Sequence, residues 1–146
     1  MSATLFTIGF TGKNARQFFG ALRLAGVRKV IDVRLKNVSQ LAGFTKRDDL
    51  EFFLDQLWGC GYEHRPQWAP SPEILEEYKN KALTWEGYAQ RFAALLDERL
   101  AGYKPTAEDL DRACLLCSEP TAEKCHRRLL AERLQALMPG LRVKHL

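Results

Sequence analysis

The chain has 146 residues, and 22 Lys+Arg against 18 Asp+Glu give a formal net charge of +4. That length suits one domain, residues 1–146, and 46% hydrophobic with 27% charged residues excludes a disordered tail. No apolar run approaches the ~18 residues of a membrane-spanning helix, and Met1-Ser2-Ala3-Thr4 does not open a secretory signal, so no membrane partner is expected.

Residues 4–8 (Thr-Leu-Phe-Thr-Ile) read as a buried strand ending at Gly9. Phe18, Leu22 and Ala25 recur at helical spacing over 14–25 and stop at Gly26. Lys29–Val33 is a second strand, and residues 35–44 form a loop. Thr45 with Asp48 reads as a capping box for a helix striped by Leu50, Phe53, Leu54, Leu57 and Trp58. Residues 62–65 give a third strand. Ser71-Pro72 and Thr84 start two further helices. Ala113–Cys117 is the most apolar strand of the second half. A helix over about 121–137 and a strand over 142–146 complete the order βαβαβααβαβ. Alternation of this kind predicts a three-layer, Rossmann-like α/β domain with a mainly parallel sheet of about five strands.

In such a sheet, ligands bind beyond the carboxyl ends of the strands. Gly9 and Thr11, Asp32 and Arg34, Cys117 and Glu119, and His145 all fall at strand ends. The stretch from Cys117 to Arg127 is the richest in chemistry. A strand-to-helix turn offers free amides and a positive dipole end, which attract anions and lower a thiol's pKa. Arg127 adds a bidentate donor for phosphate or carboxylate. His126 can move protons near neutral pH, and Glu119 is a candidate base or ion-pair partner. Zinc is disfavoured by spacing. Cys114 and Cys117 are three apart on a strand and face opposite ways, and Cys125 and His126 are about 100° apart on a helix. A cysteine-phosphatase signature, with arginine six positions after the nucleophile, fails at Glu123. Four cysteines without a secretion signal suggest reduced thiols in the cytoplasm.

The chain resembles the bacterial and archaeal family called domain of unknown function 488. The landmarks are Thr7-Ile8-Gly9-Phe10-Thr11, Asp32-Val33-Arg34 with Ser39 five residues on, a loose Gly61-Tyr62, and Cys117-Ser118-Glu119 followed by Cys125-His126-Arg127. The Leu41–Lys46 and Ala69–Pro72 stretches look like one subgroup. Phe10 and Thr11 stand where the family usually has His-Ser. The resemblance implies an α/β fold with these motifs on one rim, and it supplies no reaction.

Three readings are open. In the first, a small-molecule anion or nucleotide binds at Gly9, Thr11, Asp32, Arg34, Ser39 and Arg127. Cys117 or Cys125 is then a thiolate nucleophile on a phosphorylated small molecule, and Glu119 and His126 are acid/base groups. In the second, the basic ends bind or process nucleic acid. Residues 1–50 hold nine Lys/Arg against three Asp/Glu, and Phe10, Trp58, Trp68 or Trp85 would stack on bases. In the third, the cluster is a buried non-catalytic network around an Asp32–Arg127 or Glu119–Arg34 pair. Neither a cofactor nor an oligomeric state follows from these residues.

Overall fold

A computed structural model describes residues 3–37, 43–119 and 122–146. Five strands form one sheet: β1 (Thr4–Gly9), β2 (Lys29–Asp32), β3 (Gly61–His64), β4 (Ala113–Cys117) and β5 (Arg142–His145). Their order is β3-β2-β4-β1-β5, and every pairing is parallel. Six helices connect them: α1 (Ala15–Ala25), α2 (Arg47–Trp58), α3 (Pro72–Lys79), α4 (Trp85–Gly102), α5 (Ala107–Leu110) and α6 (His126–Leu137). The expected three-layer α/β architecture is present.

Strand alternation divides the core into two layers. Phe6, Ile8, Val30, Cys114 and Leu116 pack with Phe18, Phe19 and Leu22 of α1 and Leu50 and Leu54 of α2. Leu5, Ile31, Ala113 and Leu115 pack with Phe92, Leu96 and Leu100 of α4 and Leu130 and Leu134 of α6. α1 and α2 therefore cover one face and α4 and α6 the other. The chain leaves β1 toward α1 and leaves the adjacent β4 toward α6. Two neighbouring strands whose loops diverge to opposite faces open a crevice at their carboxyl ends.

Most helix starts follow the sequence. Ser71 accepts from the Ile74 amide and Thr84 from the Gly87 amide. Two boundaries differ. Thr45 does not cap α2; it closes a short 3-10 turn, and Lys46 holds the cap position without a side-chain bond. The last helix starts at His126, not near 121, because the chain after β4 first crosses the end of β1, where Thr11 N–H bonds the Ser118 carbonyl at 3.1 Å.

That crossing explains Gly9. A Cβ there would lie 1.4 Å from the Glu119 carbonyl oxygen and 2.8 Å from Nη1 of Arg127. Gly9→Ala is expected to destabilise the fold by about 3 kcal/mol, the upper end of the overpacking range. Gly20 in α1 has open space where a Cβ would go, so Gly20→Ala should stabilise by roughly 0.5–1 kcal/mol. Urea unfolding of both variants checks the contrast.

Candidate functional site at the carboxyl rim of β1 and β4

In register, Gly9 of β1 sits beside Cys117 of β4. Thr7, two residues before Gly9, shares its face. Because Gly9 has no side chain, Arg127 from the first turn of α6 lies across it. Nε of Arg127 donates to Thr7 Oγ1 at 3.2 Å, and Nη1 donates to the Glu119 carbonyl at 2.7 Å and to Cys117 Sγ at 3.0 Å. Arg127 is 1% exposed, and no carboxylate pairs with it among the described residues. Thr7 Oγ1 in turn meets His145 Nδ1 at 2.5 Å.

A buried cation needs compensating partners, and here one of them is a sulfur that can ionise. Cys117 Sγ lies 2.7 Å from Cys125 Sγ. Burial pushes the Cys117 thiol up, but the Cys125 hydrogen bond, the Arg127 charge and the Glu119 amide outweigh burial and hold it below the ordinary thiol value. Cys125 moves the other way, raised by its bond to Cys117 and by burial. Of the two sulfurs, Cys117 is the one whose surroundings favour the anion and Cys125 the one whose surroundings favour the thiol.

His126 opens α6, and its Nε2 lies 2.8 Å from the Val33 carbonyl. A carbonyl only accepts, so Nε2 carries the proton and Nδ1 is the free acceptor. Burial pushes the imidazole down to about 4. His126 is thus a neutral acceptor near pH 7.

Asp32 and Arg34 pair with each other. Arg34 Nε and Nη2 donate to the two Asp32 oxygens at 2.9 and 2.8 Å, and Nη2 also reaches the Thr45 carbonyl at 2.6 Å. Tyr62 Oη donates to Asp32 at 2.7 Å. The expected Asp32–Arg127 and Glu119–Arg34 pairs do not form, because each arginine is filled by nearer acceptors. Glu119 serves Arg127 through its carbonyl, and the residue is exposed.

A cavity of about 560 Å³ opens above this rim. Cys117, Cys125 and His126 line it together with Thr11, Glu119 and Arg34. Tyr78, Trp85 and Tyr88 form an aromatic wall, with Trp85 and Tyr88 stacked at 5.3 Å between centroids. Lys36 and Lys124 add exposed cations. Gly9, Asp32 and Arg127 are buried outside the lining and position those that face it. Ser39 lies outside the described residues. Phe10 packs in the α1/α2 core with the Arg34 guanidinium 5.4 Å from its ring centre.

Tyr78, Tyr88, Lys36, Lys124 and Thr7 were not singled out as functional residues from the sequence. Trp85 and Tyr88 sit at core-like helical spacing, which hides that half-buried Trp85 and buried Tyr88 both line a cavity. Thr7 is one polar residue inside an apolar strand, and that anomaly was the available signal. Cys114 is in the α1/α2 core, on the face opposite Cys117, as their spacing requires.

These features define a parallel α/β protein whose topological switch point holds a close cysteine pair, with a buried arginine hydrogen-bonded to one of the two sulfurs. The family model described as Domain of unknown function DUF488 matches residues 14–134, and the chain belongs to that family. The match takes in Asp32-Val33-Arg34 and Cys117 through Arg127 and begins after the first strand. Neither the curated proteins nor the solved structures searched contain a match to the chain.

The Cys117–Arg127 pair has a pH signature. The folded Cys117 value lies below the unfolded one, so below about pH 8.5 the unfolded chain binds more protons. Stability should rise with pH between the folded value and about 8.5 and be lost as pH falls through the folded value. Above that range the raised Cys125 reverses the sign. Cys117→Ser should abolish the rise and cost about 3 kcal/mol by leaving Arg127 without its counter-charge. Urea unfolding at a series of pH values measures both effects.

His126 gives a separate window. Its folded value near 4 lies below the ordinary 6.5, so the unfolded chain binds more protons between those values. Stability should fall as pH drops from about 6.5 to 4. His126→Gln should flatten that limb in the same measurement.

Proposed function

We propose that the protein binds a small aromatic anion of the nucleotide class in the cavity over β1 and β4, and that Cys117 is the nucleophile toward a phosphorylated small molecule held there. One observation carries this reading: an aromatic wall and a set of cations meet above a buried cysteine that accepts from a buried arginine. A volume near 560 Å³ falls within the range of small-molecule sites. A planar base suits the Tyr78–Trp85–Tyr88 wall, and a phosphate suits Lys36 and Lys124.

Arg34 and Arg127 were expected to hold the anion directly, but both are already engaged. In this reading Arg127 acts through Cys117, keeping the thiolate charged and aimed. His126 Nδ1 accepts a hydrogen bond from the ligand. Two of the tryptophans considered for nucleic-acid stacking are occupied. Trp68 is buried beneath the Arg65 guanidinium, and the Trp58 ring N–H is bound to the Val27 carbonyl at 2.9 Å. A small ligand therefore accounts for the site better than a polynucleotide.

A thermal-shift comparison of nucleotides, nucleosides and inorganic phosphate tests the proposal. At a hundred times the dissociation constant a nucleotide should add about 2.7 kcal/mol, roughly 8 °C in Tm. Nucleoside or phosphate alone should add less. Trp85→Ala and Lys124→Ala should each cut the shift, and bound nucleotide should protect Cys117 from iodoacetamide. No shift from any nucleotide, or a shift untouched by both substitutions, sinks the idea.

A further inference from the structure

We propose that Cys117 and Cys125 form a peroxide-reactive dithiol, with Cys117 attacking the peroxide and Cys125 resolving the product to a reversible disulfide. The motivating geometry is the 2.7 Å approach of the two sulfurs beneath the cavity. They are also unequal. Cys117 Sγ accepts from Arg127 Nη1 at 3.0 Å, whereas Cys125 Sγ is 3.7 Å from that nitrogen. An arginine that stabilises sulfur anion favours the thiolate, the form that reacts. Cys60 and Cys114 are buried in the other core layer, so neither competes as a partner. The proposal shares Cys117 with the nucleotide reading and is independent of any bound nucleotide.

The steps balance with hydrogen peroxide as oxidant. The Cys117 thiolate attacks one peroxide oxygen and the O–O bond breaks. Its electron pair leaves on the other oxygen, which takes a proton to become water. Cys117 is then a sulfenic acid. The Cys125 sulfur attacks Cys117 Sγ, the S–S bond forms, and hydroxide leaves and takes the Cys125 proton as a second water. The pair loses two electrons and the peroxide gains two. An external dithiol returns the pair to its starting state.

Oxidation has an electrostatic consequence. A disulfide carries no charge, so Arg127 loses its sulfur counter-charge while staying buried. The cavity floor gains one positive charge, which favours anionic ligands in the oxidised form.

The experiment is peptide mapping by mass spectrometry of the full chain after one equivalent of hydrogen peroxide, with and without dithiothreitol. The expected result is loss of two hydrogens, a crosslink between Cys117 and Cys125, and full reversal by dithiothreitol. In Cys125→Ser, dimedone should trap a sulfenic acid on Cys117. No reaction, a crosslink through Cys60 or Cys114, or oxidation of Cys117 to sulfinic acid with Cys125 intact overturns the proposal. The wild-type arm needs no variant to fold, and no arm reads nucleotide binding, so failure here leaves the cavity reading untouched.

Discussion

A guanidinium buried without a carboxylate partner among the described residues is the constraint on which the rim of this protein depends. Arg127 is almost fully enclosed, and taking a lone cation out of water costs several kcal/mol even after relaxation. Its hydrogen bonds to Thr7, Glu119 and Cys117 offset part of that cost. Only Cys117 among these can carry charge. Together with the Cys125 hydrogen bond, the arginine opposes desolvation and moves the buried Cys117 thiol toward its anion. Gly9, which leaves room for the guanidinium, and Thr7, which accepts from it, belong to the same arrangement.

The topology places that arrangement. β4 lies between β1 and β2, and it feeds α6 on one face while β1 and β2 feed α1 and α2 on the other. The residues after β4 must cross the end of β1 before the helix can begin. They deliver the Glu119 amide, the Cys125 thiol and the Arg127 side chain to one sulfur, and the Glu119 carbonyl to the arginine. α4, packed beside α6, brings Trp85 and Tyr88 to the same opening. The cavity and the Cys117–Cys125 pair come from one geometric cause, the divergence of two adjacent strands.

Much of the fold was legible in the residues. The three central strands are short apolar runs, and the helices carry their stripes and caps where spacing and Ser71 or Thr84 suggest, because these are local properties. The misread places are those where distant contacts override local preference. Thr45 resembles a cap, but its carbonyl is taken by Arg34. The stretch after Cys117 resembles the start of a helix, but it must first pass over Gly9. Phe53 and Leu57 sit on the α2 stripe and yet remain partly exposed, because Leu50 and Leu54 alone face the sheet.

By itself the sequence determined the α/β class, the parallel pairing, the rim on which Cys117, Glu119, Cys125 and His126 gather, and the opposite orientations of Cys114 and Cys117. These follow from periodicity and strand alternation, which act over a few residues. Only the tertiary structure decided which cysteine sits in the surroundings that favour an anion, that Arg34 belongs to Asp32 while Arg127 belongs to Cys117, and that the Trp85 stripe opens on a cavity. Charge pairing and exposure depend on distances between segments far apart in the chain. The modest net charge of +4 carried no information about them.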